Sequence, residues 1–177
     1  YIMPESIELK VQFLESNKSF DIVRTNGYYV NENNLDDTSN LFVNDDTEKC
    51  KIDIFDDLVE AKTNNWAGSY MVRTSKLFDF YKDRKFYESR YGQNLQILMP
   101  VAYNGKCGYI DKPLMKYIRQ ESSITQVGKN LNLEMKNFQG YKDIRLHMID
   151  LIVKEYEKEK YNKCVNITTN ATLLNKR

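Results

Sequence analysis

Histidine, cysteine and proline are scarce in this chain, and the scarcity closes off whole classes of chemistry. His147 is the one histidine among 177 residues. It lies in an apolar stretch with helical patterning, where an imidazole is ordinarily a boundary or core residue, so a histidine-dependent triad is not expected. The three cysteines, Cys50, Cys107 and Cys164, lie far apart with no CxxC spacing. An odd count without metal spacing argues for free thiols in a reducing compartment, and the compartment inferred is the cytoplasm. No HExxH, Walker loop or GxGxxG occurs. No apolar run approaches the ~18 residues of a membrane span, and no signal-peptide pattern opens the chain. Charge of one sign is also lacking: 26 basic and 25 acidic residues leave a net charge of +1, so wholesale nucleic-acid binding is not expected. Two sequons, beginning at Asn166 and Asn170, are read as chance, since nothing else in the composition points to secretion.

What remains is an ordinary globular composition, 41% hydrophobic and 29% charged, on a length that suits one domain. Tyrosine is abundant at 13 residues, which suits both half-buried strands and contact with a sugar or nucleotide. The chain begins abruptly at Tyr1-Ile2-Met3-Pro4, as though cut from something longer. Pro4 and Glu5 then introduce a helix to about Ser16, with Ile7, Val11 and Leu14 as its apolar face. Residues 20–30 are rich in β-formers. Asn26-Gly27 within them is compatible with a hairpin or with a bulge in one long strand. Residues 31–49 form a long polar loop with one short strand around 41–43.

A helix is expected over 51–62, with Ile52, Phe55, Leu58 and Val59 on one face, then a strand over 66–73. Thr74-Ser75 reads as the cap of a helix over 76–82. Gly92 opens a further helix, buried by the density of Leu95, Ile97, Leu98, Val101 and Ala102, which Asn104-Gly105 ends. Short strands over 106–110 and 114–119 flank a turn at Asp111-Lys112-Pro113, and 131–160 is helical, with a break open at Gly140. The acidic pairs Asp36-Asp37, Asp45-Asp46 and Asp56-Asp57 fall in the polar loop and at a helix start, where acids have structural uses.

The stretch Gly92-Gln93-Asn94-Leu95-Gln96 sets three polar side chains at the start of a buried helix, and Asn65-Trp66-Ala67-Gly68-Ser69-Tyr70 precedes it. We expect both to line one cleft, together with the 106–110 and 114–119 strands and the polar run 121–126. The same residues have plain structural uses. Trp66 suits a core anchor, Gln93 and Asn94 suit helix caps, Arg73 and Arg119 suit ion pairs, and Gly68 relieves strand crowding.

Taken as an ordered set, these segments resemble the second half of a family-2 glycosyltransferase of the GT-A fold. Tyr1-Ile2-Met3-Pro4-Glu5-Ser6-Ile7-Glu8 resembles the segment just after that family's acidic metal motif, and Asp21-Ile22-Val23 resembles the next strand. Trp66 through Arg73 resembles the strand that approaches donor and acceptor, and Gly92 through Gln96 stands where many members carry Glu-Asp. Gly105 through Leu114, with Tyr117 and the serines after Glu121, resembles the return strands and the segment beyond them.

The resemblance implies an α/β chain holding a partial GT-A (nucleotide-diphospho-sugar transferase-like) fold, a short mixed sheet with flanking helices. Residues 1–126 would be the acceptor side of the catalytic domain, 131–162 a helical C-terminal extension and 163–177 a tail. The implied activity of the intact enzyme is sugar transfer from a nucleotide-sugar donor to a saccharide hydroxyl, in polysaccharide or surface-glycan synthesis. It also implies that Trp66, Ala67, Gly68 and Ser69 shape a sugar pocket, that Gln93, Asn94 and Gln96 hold acceptor hydroxyls, and that Arg119 faces phosphate. The nucleotide-binding half and the Mg or Mn site would precede Tyr1, so no cation is expected on this part, which would be inactive alone and prone to self-association along a truncated sheet. Asn94 occupies the general-base position, yet an amide accepts no proton at neutral pH. The competing class is a non-catalytic glycan-binding or protein-assembly module.

Overall fold

The computed structural model describes residues 1–120 and 131–156. The polar run 121–126, the tail with its sequons and Cys164 lie outside the described residues. Within the described residues the elements run in the order α1 (Ser6–Ser16), β1 (Ile22–Asn31), α2 (Asp46–Lys49), α3 (Phe55–Val59), β2 (Tyr70–Val72), α4 (Thr74–Phe80), α5 (Leu95–Ala102), β3 (Cys107–Arg119) and α6 (Leu131–Glu155). The chain is a mixed α/β structure. Its three-stranded sheet has the order β2-β1-β3, with β1 antiparallel to β2 and parallel to β3.

β1 is central and buried on both faces. Ile22 pairs with Cys107 and joins the main core, where α3, α5 and α6 pack. The next register position, Val23 opposite Gly108, faces the other way. A Cβ at Gly108 would fall on the ring of Phe13, so glycine is what lets α1 lie against that face. Asn17 ends α1 by donating from Nδ2 to the Phe13 carbonyl at 2.8 Å. The face of α1 is rotated from the expected one: Ser6, Lys10 and Leu14 are buried, whereas Ile7 and Val11 are exposed. Lys10 explains the rotation. Lys10 is 1% exposed, and its ammonium donates to Ser6 Oγ at 2.8 Å and to the Gly68 carbonyl, tying α1 to the turn before β2. Burial pulls its pKa down to about 8.

Asn26-Gly27 makes a bulge, not a hairpin. The register slips on both sides of Asn26, and β3 spends 13 residues alongside the 10 of β1. The buried Asn26 amide stands in for a strand. Its Nδ2 donates to the Val43 carbonyl at 2.8 Å and its Oδ1 accepts the Val43 N–H at 3.2 Å. Gly27 leaves room for the Phe42 ring, and its carbonyl accepts the Phe42 N–H at 2.8 Å. The loop thus lies against β1, with Leu41 bridging Tyr28. The expected turn at 111–113 is likewise absent. Asp111, Lys112 and Pro113 belong to the irregular stretch of one continuous β3, where Asp111 accepts from Lys49 at 2.8 Å and from Asn26 at 3.3 Å.

Other boundaries also move. Ile52 is exposed and its carbonyl accepts the Cys107 N–H at 2.8 Å, which holds 51–53 extended and confines the 51–62 helix to Phe55–Val59. The 66–73 strand shrinks to Tyr70–Val72, because Trp66 to Ser69 form a turn with Gly68 at φ +96. Arg73, not Thr74 or Ser75, stands at the N-cap of α4, with no side-chain cap bond. The helix expected from Gly92 begins at Leu95, after a turn in which Gly92 has φ +56. Gly140 does not break α6. A Cβ there would fall inside the Tyr91 ring, so the glycine serves close packing. His147 is half-buried and stacked on Tyr87 at 3.7 Å.

Pro100 within α5 has no N–H for the Gln96 carbonyl one turn back. The buried Tyr81 hydroxyl fills that role, donating to Gln96 O at 2.9 Å. Tyr81→Phe therefore strands a buried carbonyl and should cost about 1–3 kcal/mol in denaturant unfolding. In a Pro100→Ala background the restored amide should take the carbonyl back, and most of that cost should vanish. An equal cost in both backgrounds would show that the two groups are not coupled.

Residues 1–3 run antiparallel beside β3. Ile2 bridges Met115, the Tyr1 ammonium donates to Lys116 O at 2.9 Å, Lys116 N donates to Tyr1 O at 2.8 Å, and Met3 N to Leu114 O at 3.0 Å. Cys50 and Cys107 are free thiols, exposed and buried respectively. Among the described residues no helix is long and apolar enough to cross a membrane.

Candidate functional site

Two segments far apart in sequence meet across a cavity of about 420 Å³. Such a volume falls in the range of small-ligand clefts, roughly 300–1,000 Å³. One wall is the link from α3 to β2, with Thr63, Asn64, Asn65 and Trp66; another is the turn into α5, with Gly92, Gln93 and Asn94. Tyr141 and Arg145 of α6 and Arg90 complete it.

Trp66 is fixed from behind. Its indole N–H donates to Tyr29 Oη at 2.9 Å, and its ring lies on Tyr117 at 4.5 Å between centroids. These contacts belong to a small aromatic cluster around Phe42, Val43 and Met115, separate from the main core. Trp66 is thus an anchor and a cleft wall at once. Asn64 is also spent on structure, donating to the Phe42 carbonyl at 3.0 Å and accepting from Tyr29 at 3.3 Å. Thr63 accepts from the buried Arg24 and donates to Glu48 at 3.0 Å, which stiffens the cleft floor.

Asn94 occupies the N-cap position of α5 but makes no side-chain cap bond. Instead its Oδ1 accepts the Tyr70 hydroxyl at 2.8 Å. Burial pushes the Tyr70 pKa up to about 12, so the phenol stays protonated and the amide stays oriented. Asn94 Nδ2 and the Asn65 and Gln93 amides carry no hydrogen bond among the described residues. The arrangement therefore offers a flat aromatic wall and three amides, a chemistry suited to hydroxyl groups.

The other expected residues lie elsewhere. Gln96 points away from Asn94 into an adjoining depression shared with Gln93, and is 8% exposed with Nε2 unpartnered. Arg119 stacks over the Tyr29 ring at 4.1 Å, at the far end of β3 and outside the cleft. Ala67, Gly68 and Ser69 do not line it either. They form the turn that presents Trp66, with Ser69 Oγ donating to the Trp66 carbonyl at 2.7 Å and Gly68 crowded against Ile2. Arg73 holds the Phe20 and Leu14 carbonyls, a structural use.

The acids are spent locally. Asp45 caps α2 through the Thr47 N–H at 2.8 Å, Asp46 pairs with Lys49 at 3.0 Å and Asp57 with Lys51 at 2.8 Å. Among the described residues no three His, Cys, Asp or Glu side chains come together as a metal site. The Mg or Mn ion implied by the resemblance for the intact enzyme finds no such ligand set among these residues.

Arg90, Tyr141 and Arg145 are cleft residues that the sequence did not single out, while Tyr70, from the segment expected at the cleft, supports it through Asn94. A signal existed for the α6 pair: Tyr141 and Arg145 are four apart and share one helix face. Compared with protein-family models, curated protein sequences and solved structures, the chain matches none.

Proposed function

We propose that the chain is the saccharide-binding, acceptor-side part of a glycosyltransferase that moves a sugar from a nucleotide-sugar to a saccharide hydroxyl. The observation that carries the reading is the meeting of Trp66 with Gln93 and Asn94 across one cleft, from segments about 30 residues apart. An aromatic face opposite unpartnered amides suits a sugar ring, with Asn94 Nδ2 donating to an acceptor hydroxyl oxygen. Transfer joins that oxygen to the donor's anomeric carbon, breaks the carbon's bond to the diphosphate and releases a proton. Asn94 cannot take the proton, so the base lies elsewhere.

A second reading, a glycan-binding module without chemistry, is favoured by the same amide. Asn94 is neutral and engaged by Tyr70, and no carboxylate lines the cleft among the described residues. Both readings require saccharide in the cleft, and saturation-transfer NMR with a panel of mono- and oligosaccharides tests this. We expect transfer from the Trp66 ring, weakened about 5-fold or more by Asn94→Ala and unchanged by Arg119→Ala. Saccharide contacts that ignore Asn94, or follow Arg119, would remove the cleft from consideration. Turnover of a nucleotide-sugar by the intact enzyme that this reading implies, not by this part alone, would then separate the enzyme from the module.

A further inference from the structure

Among the described residues, the cleft walls carry two guanidinium groups and no carboxylate. Arg90 is exposed and has neither an ion pair nor a hydrogen bond among the described residues. Arg145 is held in place, donating from Nε to the Leu58 carbonyl at 3.3 Å and from Nη1 to the Tyr141 carbonyl at 3.2 Å. Both of its partners are neutral carbonyls. Outside the cleft, Lys49, Lys51, Lys82, Lys112 and Lys116 have carboxylate partners, whereas Lys10 is met by neutral oxygens and Arg119 by an aromatic ring. What sets Arg90 and Arg145 apart is their place: two guanidinium groups without a carboxylate partner among the described residues stand on the lining where a ligand would sit.

Burial pulls the Arg145 guanidinium below its ordinary pKa, the mark of a cation short of water and lacking a counter-charge. The N-terminal turn of α5 also faces the cleft through Gly92 to Leu95, adding the positive end of a helix. Resting on the reading of this cleft as a saccharide site, we infer that its saccharide carries a phosphate or carboxylate, met by Arg90 and Arg145. A guanidinium binds either oxyanion through two parallel N–H donors, whereas a neutral sugar leaves both groups uncompensated.

Trp66 is the one tryptophan of the chain, so its emission reports cleft occupancy directly. Glucose 1-phosphate, glucuronate, glucose and inorganic phosphate are titrated in turn into the full chain and into Arg90→Gln. Arg90 holds no other group, so the variant should keep the far-UV spectrum and melting temperature of the parent. We expect at least one anionic sugar to bind about 10-fold or more tighter than glucose, an advantage lost in Arg90→Gln and reduced by added NaCl. Glucose binding as tightly as both anionic sugars, or Arg90→Gln leaving their affinities unchanged, would overturn the inference and leave the saccharide reading standing. Inorganic phosphate matching glucose 1-phosphate would overturn both, since the sugar would then contribute nothing. Silence of Trp66 towards every sugar would also overturn both.

Discussion

Ile149→Ala is expected to lower the unfolding free energy by about 2–5 kcal/mol, and to do so in one transition that takes the sheet with it. Ile149 is 1% exposed. With Ile144, Met148 and Ile152 it forms the inward face of α6, packed against Phe55, Leu58 and Val59 of α3 and Leu95, Leu98 and Met99 of α5. Truncation to alanine removes three carbons where α3, α5 and α6 meet, and neighbours on three separate helices cannot all move in to fill the gap. The experiment also decides how the chain is divided. If α6 were an appendage to residues 1–126, denaturant unfolding followed by Trp66 emission, which reports the sheet side, would be untouched by the substitution. With one shared core, Trp66 emission and far-UV circular dichroism should shift to lower denaturant together.

Gly140→Ala should destabilise the protein by about 1–3 kcal/mol, against the direction that helix propensity sets. In the interior of a helix that substitution is ordinarily worth about 1 kcal/mol in favour of alanine. Here a Cβ would sit within the Tyr91 ring, against atoms on its inner side as well as its edge, so the whole ring must move. Tyr91 has little freedom, because the next residue, Gly92, is in a positive-φ turn already close to Ile144 and Leu95. In a Tyr91→Ala background the sign should reverse and alanine at 140 should become favourable. A destabilisation of equal size in both backgrounds would mean the ring is not the cause. Displacing Tyr91 also disturbs the turn that carries Gln93 and Asn94, so Gly140→Ala should weaken the saccharide binding proposed for the cleft although residue 140 is outside it.

Gly140 illustrates what a linear reading can and cannot deliver. Local patterns were legible where the chain's own chemistry decides them: α1 by its Pro4-Glu5 start and Asn17 stop, β1 by its β-branched and aromatic run, α5 by its density of apolar residues. The mixed sheet with flanking helices is the outcome of that order. What failed depended on distant partners. The helix expected from residue 51 loses its first turn because Ile52 gives its carbonyl to β3, and the α1 face rotates because Lys10 finds the Gly68 carbonyl. Asn26-Gly27 resembles a hairpin until the loop at Phe42 and Val43 is laid beside it.

For the cleft, Trp66, Gln93 and Asn94 could be paired from sequence through their order along the chain. Arg90 and Arg145 could not, since an unpaired arginine looks the same in sequence as a paired one. Gln96 and Arg119 read from sequence as cleft residues because side-chain type is legible there and direction is not. Two residues beyond Asn94 a helix has turned through about 200°, enough to carry Gln96 to a different surface.

The antiparallel run of Tyr1 to Met3 along β3 has a practical consequence for handling the protein. Open sheet edges recruit foreign strands, and this edge is already occupied from Leu114 to Lys116 by the chain itself. The opposite edge is β2, three residues long, too short to template much. Aggregation by strand addition should therefore begin with the loss of the first three residues from β3. A tag or label joined ahead of Tyr1 would leave in extended form past Tyr117 and Arg119, on the side of the aromatic cluster. A label at the exposed thiol of Cys50 avoids that edge and leaves its hydrogen bonds in place.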